Sequence, residues 1–582
     1  MLTYRGFPRG DYLPRFPGSA RAFTASQAGL SGLHVTPKPL IRAENSSSSS
    51  KTHYSQVNTY RETSKFKLPI RNNSQLATSN YRSVTGSAVL VSKCVVSYKE
   101  FWYNQLRHLR EWVLKLGSSV LRLGFKLKEL FSGGARVPVV LLTSILVFLC
   151  ALSGWNYYDV RYFIEWYTRY FQRGLLLDIY ADQDPTFKAA YPPLAVIVFT
   201  SMYHVASVLT NNEVLVVFIT KLPLLVSFYL MYFILIKKYN DLLGYLWLLN
   251  PLTYSIILFF QFDPIIALLL LVALYYLIEK KNYYLYGVFT TLSALIKHAT
   301  ALLLVVPLII LLKKREYYGL AKYVVITGVI AGAVLLPFFL KSPSGFLEKV
   351  VFFHAKRPPQ QLSIWSIPYY LVEYNLDLVS PAVSHIWLYV FFAYLVIIFF
   401  AAFKESIRDE GSFALKYIIL VMCGFMLFSK VINVTYYLWL TPIILVLLNE
   451  IRDKMVYKDL IKSYIFTYVW IVSYGFFAFI APLLVGEDVF MFEDWCYVPS
   501  ELVYLRSQVG FFKEASMRII LYTRSRGELL SVLSALARTH HYILILIIFI
   551  HAAFQVYLII LALRHLNLAR TSSALNTFIS EK

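Results

Sequence analysis

From about residue 137 onward the chain alternates long apolar runs with short polar or charged breaks. A helix needs about twenty apolar residues to cross the hydrocarbon core of a bilayer. Runs of that order lie at 137–154, 192–210, 213–236, 244–260, 263–278, 284–312, 321–340, 382–403, 413–428, 433–449, 463–485 and 542–563. They predict an all-α fold: a polytopic transmembrane helix bundle of about twelve spans, some of them half-spans, with outer-face loops and both ends cytoplasmic. The 284–312 run fits one tilted helix or two short broken ones. As one helix it keeps Asp159 outside but puts Lys237-Lys238 and Lys280-Lys281 outside too; as two it brings those lysines inside and conflicts with the first span. The stretch 211–298 is therefore expected to hold half-spans or re-entrant pieces, which survive only where they line a protein-buried polar cavity. Further on, Lys313 to Glu316, Lys404 to Asp409 and Arg452 to Lys462 fall inside. Ser342 to Pro381, Ser429 to Asn433 and Gly486 to His541 fall outside, the last as interfacial helices.

The first hundred residues lack any helix or strand period. They hold a serine run (Ser46 to Ser50), scattered Pro and Gly, and four acidic residues (Asp11, Glu44, Glu62, Glu100) against many Arg and Lys. Such a segment reads as disordered, either an organelle transit peptide or a solvated cytoplasmic tail. Phe101 to Phe131 alternates apolar and basic residues at helical spacing, which predicts an amphipathic helix on an anionic membrane surface; a calmodulin-type target is the alternative.

Composition agrees with the pattern. Of 582 residues, 58% are hydrophobic and 15% charged, well below the quarter or so usual in a soluble domain. Mean hydropathy is +0.56. The net charge of +23 sits largely in the tail and short loops, as the positive-inside rule places it, so it indicates no nucleic-acid partner. Cys94, Cys150, Cys423 and Cys496 show no metal-binding or disulfide spacing.

Ionisable groups at membrane depth are functional candidates. Asp159 follows the first run in an aromatic setting (Trp155, Tyr157, Tyr158, Trp166), with Arg161 and Glu165 behind it. Desolvated there, it suits a general base; the structural alternative is an interfacial acid paired with Arg161 or Arg169. Asn250-Pro251 precedes Gln261-Phe-Asp263-Pro264, where Asp263 also suits a helix start. Lys297-His298 interrupts an apolar run with no acid nearby in sequence, which favours an anionic partner such as a phosphate. The outer loop brings His354, Lys356, Arg357, Gln360, Gln361, Ser363 and Trp365; Lys430 and Asn433 precede Tyr436 and Trp439. Each is equally readable as a loop or snorkelling side chain. Glu487, Asp488, Glu493 and Asp494 cluster around Trp495 without the spacing of a metal site.

The order of these motifs, an acid after the first span, Tyr191-Pro-Pro opening the second, Asn-Pro, Gln-x-Asp, Lys-His, then Ser429-Lys430…Tyr436-x-x-Trp439, resembles integral-membrane glycosyltransferases of the GT-C class. Within that class it resembles archaeal and bacterial polyprenyl-phosphate-mannose-type mannosyltransferases and the glycosylphosphatidylinositol mannosyltransferases. The resemblance covers roughly 137–450. It implies a transmembrane catalytic module there, a polyprenyl-phosphate sugar donor, a glycan or lipid acceptor, and a catalytic carboxylate at Asp159. Many members carry a second acid in that first loop; Arg161 stands here instead, which favours a base over a metal bridge and leaves a divalent cation open. Lys297, His298, Lys356, Arg357 and Lys430 become candidates for the lipid phosphate, and Gln261 and Asp263 for sugar hydroxyls. The rival class is a transporter or lipid-linked sugar flippase, yet no repeated half with matching helix breaks is visible. A non-catalytic membrane subunit is the third class, and it would tolerate loss of Asp159.

Overall fold

Short polar residues cut the apolar sequence into helices. Asn212, Asn240, Asn250, Asn282 and Asp409 each stand one residue before a helix, and their side-chain oxygens accept from the backbone N–H of Leu215, Leu243, Leu252, Leu285 and Ser412. Each satisfies a donor that helix geometry leaves open. The structure, a computed structural model, describes residues 136–153, 157–184, 187–353, 357, 359–371, 383–475 and 527–566. All belong to the second of the chain's two units, Val96–Lys582. The expected tail, the 101–131 helix, the acidic cluster around Trp495, His354 and Lys356 lie outside these residues.

The helices are α1 (Arg136–Leu152), α2 (Tyr157–Glu165, prolonged by a π-turn to Phe171), α3 (Pro193–Leu209), α4 (Glu213–Thr220), α5 (Leu222–Lys238), α6 (Asp241–Leu248), α7 (Pro251–Phe259), α8 (Asp263–Ile278) and α9 (Tyr283–Ile296). They continue with α10 (Val305–Lys313), α11 (Tyr317–Lys341), α12 (Val383–Lys404), α13 (Glu410–Phe428), α14 (Tyr437–Glu450), α15 (Lys454–Gly475) and α16 (Gly527–His565). Among the described residues four are long and apolar enough to cross a membrane, or six if the bent pairs α4–α5 (42°) and α6–α7 (47°) each count as one span. Six shorter apolar helices accompany them. The chain is an integral membrane protein built on helices; the only strands among the described residues are β1 (Gln360–Gln361) and β2 (Val431–Ile432), which pair in parallel.

The layers follow from the sequence of each helix. α8 (DPIIALLLLVALYYLI) is apolar on every face, as a central helix must be, and α13 and α14 beside it are buried along nearly their whole length. α11 and α12 expose most of their apolar surface, which a bilayer covers. The last helix begins at Gly527 rather than near 542, so the final part of the expected outer segment 486–541 is continuous with the last span instead of a separate interfacial helix. Its His551 and Gln555 are fully buried against α14. His551 Nε2 donates to the Met426 carbonyl at 2.9 Å, which leaves Nδ1 to accept from the Tyr437 hydroxyl at 2.5 Å; that hydroxyl in turn accepts from Gln555 Nε2 at 3.3 Å.

The 284–312 run is broken. α9 ends at Lys297, whose backbone is extended (φ −141°, ψ 113°), and a 3₁₀ stretch, His298–Leu304, leads into α10. The connections reveal two ends. Asp263 opens α8 at one end; Tyr275, about 18 Å further along at the α-helical rise, carries the Lys238 and Lys280 ammonium groups over its ring at 5.5 and 5.8 Å. Those lysines therefore lie at the end opposite Asp263. The same far end holds Lys314 between Glu316 (2.7 Å) and Glu410 (2.9 Å), and Lys416 on Glu405 at 2.5 Å.

What removes the sequence-level conflict is the α3–α4 hairpin. It leaves the Asp263 end, where the Tyr191 hydroxyl donates to Gln261 Oε1 at 3.4 Å. It returns there at Lys221, whose fully buried ammonium donates to the carbonyls of Cys150 (3.0 Å) and Leu258 (2.9 Å). One cation thus closes the C-terminal carbonyls of α1 and α7, the favourable sign for both helix dipoles. Lys221→Met is expected to leave both carbonyls without that donor, at about 1–3 kcal/mol each. Thermal unfolding of the purified protein in detergent should show a clearly lower midpoint; an unchanged midpoint would remove the clasp from the account.

Candidate active site

The last residues of α7 and α9 and the turns that follow them converge with the starts of α2, α3, α8 and α14 on one group of polar side chains. Asp159 lies in the first turn of α2, half-buried, and its Oδ2 accepts from Gln261 Nε2 at 2.7 Å. Gln261 is oriented from both sides, since its Oε1 accepts from Tyr191. It is delivered by an unusual turn: Phe260 adopts a left-handed backbone (φ 55°, ψ 83°). That conformation costs a non-glycine residue roughly 1–3 kcal/mol and tends to survive at functional sites. Edge-on contacts of the Phe260 ring with Phe199 (5.2 Å) and Phe262 (5.5 Å) hold it.

Beside this pair stands a second one. Asp263 is fully buried, and both its oxygens accept from Lys297 Nζ at 2.9 and 3.0 Å; Oδ1 also accepts from Trp439 Nε1 at 2.7 Å. Lys297 lies 5.9 Å from the Tyr191 ring, 5.4 Å from Tyr436 and 5.3 Å from Trp439, and the last two rings stack at 4.1 Å. The break after α9 is what lets Lys297 turn inward: its extended backbone leaves the helix, and Thr300 Oγ1 donates to its carbonyl at 3.3 Å.

The third component is the loop that carries Arg357. The β1–β2 pairing fastens it, with Gln360 N donating to the Lys430 carbonyl at 2.9 Å and Leu362 N to that of Ile432 at 3.1 Å. Gln361, again left-handed at φ 52°, accepts at its side chain from Val434 N at 2.9 Å. Ser363 Oγ and Trp365 Nε1 donate to the carbonyls of Ser429 and Phe428, each at 2.8 Å. The Arg357 guanidinium, so anchored, donates to Gln360 Oε1 and stays close enough for its charge to act on Asp159, Tyr191 and Tyr436.

Burial pushes the Asp159 carboxyl above the usual carboxylate range; the Gln261 hydrogen bond and the charges of Lys297, Arg357 and Lys188 pull partly the other way. The same burial, with Asp159 and Asp263 nearby, holds the Tyr191 phenol well above its ordinary value, so it remains a donor. Asp159 is therefore a desolvated carboxylate facing cations, with its affinity for a proton raised above that of an ordinary carboxylate.

Several expected residues go elsewhere. Glu165 lies 3.5 Å from Arg169, which also meets Asp184 at 2.9 Å and Asp182 at 3.8 Å, so Arg169 serves that cluster instead of Asp159. His298 is exposed just past the helix break. Lys430 is buried with its ammonium 5.7 Å from the Trp387 ring. Asn250 caps α7 and donates to the Tyr464 hydroxyl at 3.3 Å. The side chain of Arg161 lies outside the described ones. Lys188, whose ammonium lies 4.8 Å from the Tyr162 ring, carries no sequence signal of its own. Among the described residues no group of three or more His, Cys, Asp or Glu side chains is placed to hold a metal ion.

Residues 189–429 match the model of glycosyltransferase family 87. The match includes Tyr191, Gln261, Asp263, Lys297, Arg357 and Gln360, and stops short of Asp159 on one side and of Lys430, Tyr436 and Trp439 on the other. Among solved structures the chain is similar to the crystal structure of ArnT from Cupriavidus metallidurans in the apo state, at 14% identity over 73% of this chain and 77% of that one, with a TM-score of 0.37. No curated protein matches the sequence. The family match and the apolar helical bundle support a membrane glycosyltransferase.

Proposed function

We propose that the protein transfers a sugar, mannose or another hexose, from a polyprenyl-phosphate donor to a hydroxyl of a lipid-linked glycan, glycolipid or protein on the outer or luminal face of the membrane. The observation that carries the reading is the half-buried Asp159, held by Gln261 and facing the charges of Arg357 and Lys297.

The reaction is a single displacement. Asp159 takes the proton of the acceptor hydroxyl as that oxygen bonds to the anomeric carbon. The bond between the anomeric carbon and the phosphate oxygen breaks, the polyprenyl phosphate leaves with added negative charge, and the configuration inverts. Arg357 stabilises that charge as it develops, the most productive use of a preorganised cation. The rings of Tyr191 and Tyr436 supply an apolar wall for the sugar.

The test is transfer of radiolabelled mannose from polyprenyl-phosphate mannose to membrane acceptors by the purified protein in liposomes. Transfer from the lipid donor and none from a nucleotide sugar is the expected result. Absence of transfer from a panel of polyprenyl-phosphate hexoses would overturn the donor class.

A further inference from the structure

The most protected charges in the site face each other. Asp263 is 0% exposed and the Lys297 side chain 11%. Every Asp263 oxygen is engaged, Oδ1 twice, and three aromatic rings surround the Lys297 ammonium. An incoming phosphate must therefore compete with Asp263 for Lys297, and a sugar hydroxyl with Lys297 and Trp439 for Asp263. A buried ion pair of this kind returns little net stability over an apolar pair of the same shape, so stability is a weak reason for its presence. Its position beside Asp159 is a stronger one.

We infer that Asp263, Lys297 and Trp439 form a positioning unit for Asp159 and bind neither donor nor acceptor directly. The Lys297 ammonium favours the carboxylate form of Asp159, and Asp263 limits how much of that charge Asp159 feels. Trp439 fixes the direction in which Asp263 presents its oxygens. This assignment rests on the reading of Asp159 as the base.

The groups facing Asp159 come from every element around it: Gln261 after α7, Tyr191 before α3, Lys188 in the preceding loop, Arg357 in the outer loop and Lys297 after α9. Changing only the pair leaves the other four in place, and its two members act with opposite sign. Lys297→Met leaves an anion near Asp159, disfavours a second negative charge, and moves the rising limb of the pH–rate profile to higher pH. Asp263→Asn leaves the ammonium uncompensated and moves the same limb to lower pH. Each displacement is expected to be on the order of one pH unit. The double variant Asp263→Asn/Lys297→Met, which leaves no buried charge behind, returns the limb toward the wild-type position, and Lys297→Arg retains it.

The experiment is the pH dependence of kcat, with the KM for polyprenyl-phosphate mannose, for these variants in liposomes. Opposite displacements with donor KM within about twofold are the expected result for residues that act through another group. Limbs that stay put, or a donor KM that rises tenfold in Lys297→Met, would overturn the inference and return Lys297 to the phosphate. If Lys297→Met does not fold, Asp263→Asn and the double variant decide the question by the same limb. Failure of the underlying reading looks different: a wild type without transfer, or Asp159→Asn as active as wild type.

Discussion

Asp159→Asn will lower sugar transfer by about 10²–10⁴-fold, the usual contribution of a positioned general base. The substitution is nearly isosteric, and the amide oxygen can still accept from Gln261 Nε2, so the fold and the Gln261–Tyr191 chain are retained. What is lost is proton affinity. The wild-type rate should rise with pH, because the base works only when ionised. Burial favours the neutral form of Asp159, so the midpoint of that rise belongs above the ordinary carboxylate range. In Asp159→Asn the rise should disappear along with the rate. Transfer assays across pH on folded, monodisperse protein check both points. Equal rates in the two proteins would place the base elsewhere, and the pair around Asp263 would be the next place to look.

Arg357→Met is expected to be nearly as damaging. A cation aimed at charge that grows in the transition state typically contributes about 10²–10³ in kcat. The rising limb of the pH profile should move up only modestly, since Lys297 and Lys188 still act on Asp159. Arg357→Lys should recover only part of the rate. The guanidinium is held in register by Gln360, itself pinned through the β1–β2 pairing, and a lysine ammonium has no matching fork. Added guanidinium ion should restore some activity to Arg357→Met and none to Asp159→Asn. A kcat unchanged by Arg357→Met would transfer the leaving-group role to another cation.

These variants separate three kinds of contribution. Lys221→Met changes a midpoint of unfolding, because its carbonyl partners end α1 and α7. Asp159→Asn and Arg357→Met change rates, because those groups act on the reacting atoms in the proposed mechanism. Changes at Asp263 and Lys297 move a pH profile, because that pair acts through Asp159.

Much of the helical order was legible without coordinates. The apolar runs locate most of the helices within a few residues, although α15 and α16 start well before theirs, and Asn212, Asn240, Asn282 and Asp409 mark starts by a local hydrogen bond that needs nothing distant. Asp159, Gln261, Asp263 and Lys297 were visible as polar groups in apolar surroundings, since a polar group in such a setting must have a partner, and Arg357 as a basic group beside Pro358-Pro359 in an outer loop. Partners are another matter. Asp159 meets Gln261 across 102 residues and Asp263 meets Lys297 across 34, and no periodicity encodes either meeting. A helix such as α8, apolar all round, gives no sign of which face turns toward which neighbour. Nor does a phenylalanine announce a left-handed turn, because Phe260 holds that conformation through the rings packed against it. The same is true of the α3–α4 hairpin, whose return to the site end depends on where Lys221 finds its carbonyls. Apolar runs and the isolated charges between them are enough to define a membrane helix bundle with ionisable groups set into it. Which of those groups neutralise one another and which face Asp159 depends on how the helices pack, and packing brings together residues far apart along the chain.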